Sequence, residues 1–370
     1  MTSEQHVKDV TATTQPKVLA LGELLIDFTP VHSEQAVPVF AANPGGAPAN
    51  VCAALVKFGV PAGFIGKVGD DAFGRQLEST LQTVGVDTAG LVLSKSVPTT
   101  LAFVHLAADG ERSFHFYRHP GADTQLNVED VDLERVARTP AFHFGSVSLT
   151  DNPARSATFT AADIAKQAGR LVSFDVNLRP MLWSDLAAAK AEIQRGLEFA
   201  HVVKLSEEEL AFLCPEVAEE LPALVEYLAR SRTKLVPGAD TLAPVPIRWV
   251  KAIEALTEKH LVSVLLVTLG AHGSLVYAPE WRAEVVYVAS LPVQAVDTTG
   301  AGDAFMAAVL SRLAQIDFRL DKLSSVDWPA VVRFANAAGA LTATRHGAIP
   351  ALPTVDEVAA LLADCAGYKV

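Results

Sequence analysis

The chain has 370 residues, half of them hydrophobic and 19% charged, with a mass of 39.2 kDa and a mean hydropathy of +0.27. That is ample chain for a large buried core and excludes wholesale disorder. Thirty Lys and Arg against 42 Asp and Glu give a formal charge of −12, which argues against nucleic acid or an anionic membrane as a main partner.

Residues 1–16 are polar, lack the apolar core of a signal peptide and read as a flexible tail before a domain spanning 17–370. Residues 17–28 (KVLALGELLIDF) form a nearly continuous apolar run, the pattern of a strand buried on both faces. Residues 48–58 (PANVCAALVKF) have helical spacing and stop at Gly59. A strand at 62–68, a helix at 71–84, a strand at 141–146 and a helix at 154–168 follow. Short apolar strands recur at 171–176, 201–205 and 263–269. Helices at 328–345 and 354–363 close the chain, the latter opened by a Thr354/Glu357 capping box. Helices between strands imply right-handed crossovers and a mostly parallel sheet covered on both faces, so the fold class is α/β, three-layered and doubly wound.

One segment breaks the rhythm. Residues 100–105 and 113–117 are β-rich, alternate, and are joined through Asp109-Gly110, a hairpin-turn signal. This hairpin predicts a small β lid drawn from about 29–43 and 98–122, placed to cover a ligand and exclude water. Residues 231–246 are rich in turn formers, and 231–261 read as a surface insertion without a chemical motif.

The sharpest chemical signal is Val296-Asp297-Thr298-Thr299-Gly300-Ala301-Gly302-Asp303-Ala304-Phe305. A β-rich stretch precedes it and 305–313 continue with helical spacing, so Gly300, Ala301 and Gly302 sit in a turn that opens a helix. Free backbone N–H groups and the positive end of the helix dipole converge there, an anion hole suited to a phosphoryl group in transfer. Asp303, in the first turn, can accept the proton of an attacking hydroxyl. A capping Asp would look the same in isolation; the Gly-Ala-Gly before it favours catalysis. A P-loop is excluded because no Lys-Ser or Lys-Thr follows these glycines, and a dinucleotide fingerprint because its third glycine would be Phe305.

The second signal is Pro44-Gly45-Gly46-Ala47-Pro48-Ala49-Asn50. Paired glycines before a helix let a ligand approach the backbone, and Asn50 both donates and accepts. Asp27 lies at the C-terminal edge of the first strand, where open α/β sheets bind ligands. A carboxylate and an amide converging on one crevice suit a polyol.

With these residues in hand, the chain resembles the ribokinase-like (PfkB) carbohydrate kinases, and within them the fructokinases, from about Val18 to Pro353. GGAPAN and DTTGAGDAF resemble the family's two signature regions, and GKVGDDAFG, FYRHPGAD, FGSVSL and DVNLRPMLW are fructokinase-like. The resemblance implies ATP, Mg²⁺ and phosphorylation of a sugar hydroxymethyl group. It implies Asp303 as base with Gly300, Ala301 and Gly302 as anion hole, and Arg179 reaching the substrate or the transferring phosphate. Asp27, Gly45, Gly46, Asn50, Phe103 and Arg118 would hold the sugar. Ser206, Thr268, Gly270, Gly273 and Asn336 would lie on the nucleotide side. Glu209 would reach Mg²⁺ through water, although the family's Asn-x-x-Glu reads Ser206-x-x-Glu209 here. A monovalent cation such as K⁺ would sit at Asp297 and Thr299 with carbonyls near Thr342, Arg345 and Gly347. The expected activity is transfer of the ATP γ-phosphate to the 6-hydroxyl of D-fructose. Another acceptor, such as 2-keto-3-deoxygluconate or ribose, or a non-catalytic sugar- or nucleotide-sensing module, remains the competing reading. Neither nucleic acid nor membrane is expected as a partner, the compartment is read as cytoplasmic, and the exposed lid predicts a homodimer. Cys52, Cys214 and Cys365 form no CxxC and indicate no disulfide framework.

Overall fold

The computed structural model describes residues 15–31, 37–106, 112–232 and 245–367. The chain runs β1 (Val18–Leu21), β2 (Leu25–Val31), β3 (Val39–Gly45), α1 (Ala47–Lys57), β4 (Ala62–Gly69), α2 (Ala72–Val84) and β5 (Asp87–Ser94). The lid hairpin β6 (Leu101–Leu106) and β7 (Arg112–Tyr117) comes next, then α3 (Leu133–Arg138), β8 (Ala141–Gly145), α4 (Ala154–Gln167) and β9 (Leu171–Asp175). After α5 (Leu186–Leu197) come β10 (Val202–Ser206), α6 (Glu207–Leu213), α7 (Leu221–Arg232), α8 (Ile247–His260), β11 (Val264–Thr268), β12 (Gly273–Ala278) and β13 (Arg282–Ala289). The chain closes with α9 (Ala301–Leu313), α10 (Trp328–Thr342) and α11 (Val355–Gly367).

Nine strands form one sheet in the order β13-β12-β11-β10-β9-β8-β1-β4-β5. Its pairings are parallel except β11–β12 and β12–β13. The strands bury both faces. In β1, Val18 and Ala20 pack on one side with α1, α9 and α10, and Leu19 and Leu21 on the other with α4, α5 and α8. This is the period-2 alternation of a strand between two helical layers. β4 and β5 lie to one side of β1 and β8 to β11 to the other, so the order reverses between β1 and β8. Such a switch point opens a crevice at the carboxyl ends of the strands.

The lid is a four-stranded sheet ordered β3-β2-β6-β7. Its hairpin pairs Leu101 with Tyr117 and Phe103 with His115, in the antiparallel register the alternation predicts. The Asp109-Gly110 turn lies outside the described residues, as do residues 1–14 of the tail and 233–244 of the turn-rich stretch.

Two expectations are corrected. The run 17–28 is not one strand. Residues 22–24 divide it, β1 joining the large sheet and β2 the lid, and the apolar pattern is unbroken because both halves are buried. Gly22 permits the break: a Cβ there would meet the Pro48 ring at 2.5 Å. Nor is 231–261 wholly a surface insertion, because α8 buries Trp249, Ala252, Ile253 and Leu256 against the second helical layer. The i, i+4, i+7 spacing of Trp249, Ile253 and Leu256 is the signal that marks it as core. Ile253→Ala is accordingly expected to destabilise the protein by about 2–5 kcal/mol, read as a lower urea midpoint; a surface helix would lose less than about 0.5 kcal/mol.

Candidate active site

Two helix N-termini face one another across the crevice. The first belongs to α1. Gly46 occupies its N-cap with φ 119° and offers no side-chain cap. A Cβ there would lie 2.3 Å from the Glu23 carbonyl oxygen, so the glycine is required both by conformation and by space. The missing cap is supplied from a distance: Glu23 Oε1 accepts the Ala47 N–H at 2.7 Å. Gly45 is equally constrained, since a Cβ would lie 2.2 Å from Asp27 Oδ2. The Asp27 carboxylate therefore rests directly against the glycine loop.

The second N-terminus belongs to α9. Gly300 caps it in the left-handed region at φ 80°, Ala301 and Gly302 follow, and Asp303 stands in the first turn. Asn50 of α1 joins the two ends, its Nδ2 donating to Asp303 Oδ2 at 2.8 Å. Asn50 is 4% exposed, and its Oδ1 is buried with no partner among the described residues. Burial pushes the Asp303 carboxyl up to about 6, with Asp175 adding to the rise and the Asn50 hydrogen bond, Lys204 and Arg179 opposing it. Burial likewise lifts Asp27 to about 7, opposed by Arg179 and reinforced by Asp303 and Asp297. Arg179 is exposed, donates to the Leu178 carbonyl oxygen at 3.1 Å and acts electrostatically on both carboxylates. The structure thus gathers Asp27, Gly45, Gly46, Asn50, Arg179, Gly300, Ala301, Gly302 and Asp303 around one crevice.

Three charged residues that the sequence reading passed over belong to the same place. Asp175 ends β9 and Lys204 lies in register with it on β10. Lys204 Nζ donates to both Asp175 oxygens at 3.0 Å, with Asp175 1% and Lys204 7% exposed. The third is Glu23, 4% exposed. Its Oε2 lacks a partner among the described residues. The available signal was a charge inside an otherwise apolar strand run, at its carboxyl end.

Other expected residues take structural positions. Arg118 is buried, with Nε on Asp123 at 2.7 Å, Nη1 on Thr150 Oγ1 at 2.8 Å and Nη2 on the Val147 carbonyl oxygen at 3.1 Å. All three nitrogens are engaged within the protein, which corrects the expectation of a sugar-facing guanidinium. Phe103 stacks on Phe28 with centroids 4.6 Å apart and meets Phe40 and Tyr117 edge-on. The register and strand alternation set these rings on the face of the lid opposite Asp27 and Asn43. Asn336 also serves the scaffold: its Oδ1 accepts from Ser274 Oγ at 2.6 Å and its Nδ2 donates to the Val288 carbonyl at 3.0 Å.

On the nucleotide side, Ser206 and Thr268 are register partners at the ends of β10 and β11. Gly270 and Gly273 have φ 52° and 117°, and a Cβ on Gly273 would lie 2.2 Å from the Val288 carbonyl oxygen. Ser206 caps α6 in a capping box with Glu209. The two Glu209 oxygens accept from Leu178 N at 2.6 Å and Ser206 N at 2.7 Å. Each retains a lone pair for a water, which fits outer-sphere contact with a hydrated ion rather than direct ligation. Among the described residues no group of three or more His, Cys, Asp or Glu could cage a metal.

At the proposed monovalent site, Asp297 Oδ1 accepts from Thr299 N at 3.0 Å and Oγ1 at 2.7 Å, and Oδ2 accepts from Gly347 N at 3.0 Å. Thr342 turns its hydroxyl to the Ala338 carbonyl while its own carbonyl accepts from Arg345 N. Arg345 pairs with Glu357. Asp297, Thr299 and Gly347 are therefore brought together, and the side chains of Thr342 and Arg345 point elsewhere.

The crevice suits a phosphotransferase: a glycine-capped helix end with a carboxylate in its first turn lies across from the glycine loop of α1. The chain matches the description "pfkB family carbohydrate kinase" over residues 15–237 and 239–355, and it belongs to that family. It is 42% identical over 348 residues to "Fructokinase-1" of Oryza sativa subsp. japonica, covering 93% of this chain and 97% of that protein. Among solved structures, fructokinase from Xylella fastidiosa with bound ATP aligns at 35% identity and a TM-score of 0.77, covering 94% of this chain and 98% of the other. Fructokinase from Vibrio cholerae O395 in its fructose, ADP and calcium ion bound form aligns at 32% identity and a TM-score of 0.74, covering 94% and 99%.

Glu23 offers a test of how tightly the α1 end is built. Burial lifts its carboxyl from 4.5 to about 7, so the folded state holds a proton that the unfolded chain releases. Its stabilising contribution is complete below about pH 4.5 and is lost as pH rises through about 7. Glu23→Gln keeps the acceptor for Ala47 and removes the titration. It should leave the urea midpoint unchanged near pH 4 and raise it at pH 8; equal midpoints for the two proteins at pH 8 would contradict the assignment.

Proposed function

We propose that the protein is an ATP-dependent fructokinase, transferring the γ-phosphate of ATP to the 6-hydroxyl of D-fructose. The observation that carries this is Asp303 at the mouth of the α9 anion hole, hydrogen-bonded to Asn50 of the glycine loop at 2.8 Å. Fructose is favoured as acceptor by the rice, Xylella and Vibrio relatives, all named fructokinases.

In this reading Asp27 and Asn50 hold sugar hydroxyls, the unpartnered Asn50 Oδ1 accepting one of them. Gly45 and Gly46 let the sugar lie against the backbone. Asp303 takes the proton of the attacking hydroxyl, and its pKa near 6 leaves it ionised at neutral pH yet basic enough to accept. The Gly300, Ala301 and Gly302 turn and Arg179 meet charge on the phosphoryl oxygens. Ser206, Thr268, Gly270 and Gly273 flank the nucleotide. Magnesium carried by ATP spreads the phosphate charge when bound, with Glu209 reaching it through water. Asp297, Thr299 and Gly347 support a K⁺ site that would stiffen the turn before α9. A homodimer would bury the outer face of the lid, where Tyr117 is 61% exposed.

Asp303→Ala should lower kcat by at least a hundredfold while ATP and fructose still bind, since a general base contributes about 10²–10⁴. For the wild type, kcat/KM for fructose should begin to fall as pH drops through about 7, where Asp27 takes up a proton, and fall more steeply below about 6, where Asp303 does. Coupled ADP release across a panel of fructose, ribose and 2-keto-3-deoxygluconate checks both. Turnover of a different acceptor would move the specificity and retain the base, whereas an Asp303→Ala enzyme with near-normal kcat would remove the base.

A further inference from the structure

The Asp175–Lys204 pair lies at the floor of the crevice and has no part in the reaction as described above. Three observations bear on it. Lys204 Nζ sits 2.9 Å from where a Cβ on residue 302 would stand, so the ammonium lies immediately beside the first turn of α9. An ammonium has three hydrogens. Both hydrogen bonds that Lys204 makes go to the two oxygens of Asp175, and no acceptor among the described residues takes the third. Finally, burial works against the Lys204 charge, yet Asp175, Glu209 and Asp303 together outweigh it and hold the group above its ordinary value, so it stays protonated. A buried cation with a spare donor, beside helix N–H groups, is built to meet negative charge.

We propose that Lys204 is a catalytic residue of the kinase reaction, donating its third hydrogen to a non-bridging oxygen of the phosphoryl group in transit, with Asp175 as the positioning residue that aims it. This rests on the kinase reading above. The step is balanced without proton transfer from lysine. Asp303 removes the sugar hydroxyl proton, the sugar oxygen bonds to phosphorus, and the bond from phosphorus to the β-phosphate oxygen breaks, its electron pair leaving with ADP. Lys204 remains an ammonium throughout and offsets charge gathering beside Gly302. The arrangement gives Gly302 a second reason to be glycine: any side chain there would displace the ammonium. Lys204 also acts on Asp303, together with Asp175 on β9, Asn50 on α1 and Arg179 at the crevice, so removal of the pair should be visible in the titration of the base.

A double variant, Lys204→Gln with Asp175→Asn, replaces the ion pair by a neutral amide pair of similar size and leaves no buried charge alone. With ATP, Mg²⁺ and fructose, kcat should fall about 10²–10³-fold, the scale of losing one donor of an anion hole. KM for fructose should change less than about threefold, and the acid limb of kcat/KM should move to lower pH, because the Asp175 carboxylate that raises the Asp303 carboxyl outweighs the Lys204 ammonium that lowers it. A merely structural pair would lower the unfolding temperature and leave kcat in place. That result, from folded double variant, overturns the proposal. If the double variant does not fold, ¹⁵N-lysine-labelled wild type answers instead. An ammonium signal that shifts with ADP, Mg²⁺, aluminium fluoride and fructose together, and not with fructose alone, supports contact with the phosphoryl group; no such shift overturns it. Wild-type protein that releases no ADP with any sugar removes the kinase reading itself and this inference with it, whereas an active wild type matched by its double variant removes Lys204 alone.

Discussion

The site depends on keeping a partly desolvated carboxylate ionised beside a second one. Burial pushes both Asp303 and Asp27 upward, with Asp175 adding to the rise of Asp303 and Asp303 to that of Asp27. Left alone, such a pair would share protons near neutrality and neither would serve reliably as base or acceptor. The fold answers with donors drawn from separate elements: the Asn50 amide from α1, the α9 N-terminus beneath Asp303, Lys204 from β10 and Arg179 from the segment after β9. None of these is near another in sequence, and the parallel sheet brings them together because its strands end on the same side. The lining of the crevice follows from strand order and not from any single motif.

The same constraint accounts for the glycines. Gly45 and Gly46 yield space to Asp27 and to the Glu23 backbone, and Gly302 yields space to Lys204. Each of these contacts would be closed by a methyl group. Glycine here serves less as a flexible joint than as the absence of an obstacle, and charged groups fill the room it leaves.

How much of this was legible in the sequence varies with the physics behind each residue. The alternation of apolar strands and amphipathic helices fixed the layers, and Gly-Ala-Gly-Asp before a helical run located the N-terminus of α9, because both signals are local. The division of 17–28 was hidden because apolarity reports burial and not which sheet does the burying. Arg118 and Asn336 misled for a related reason. A motif names a residue type, but a guanidinium engaged by Asp123, Thr150 and Val147 and an amide spent on Ser274 and Val288 are decided by tertiary neighbours. Lys204 and Asp175 went unread because each is a lone charge in a strand, meaningful only once the register sets them side by side.

The three residues between β1 and β2 carry a mechanical corollary. Asp27 travels with the lid, while Asp303 is fastened to the helices packed on the large sheet. Any rocking of the lid about residues 22–24 therefore changes the separation between the Asp27 and Asp303 carboxylates. Glu23 sits at that pivot and simultaneously seals the end of α1, so tilting the lid tugs on the glycine loop as well. For the kinase proposed above, gripping, alignment and shielding of the acceptor would in this way be geared to a single rotation rather than to three independent adjustments.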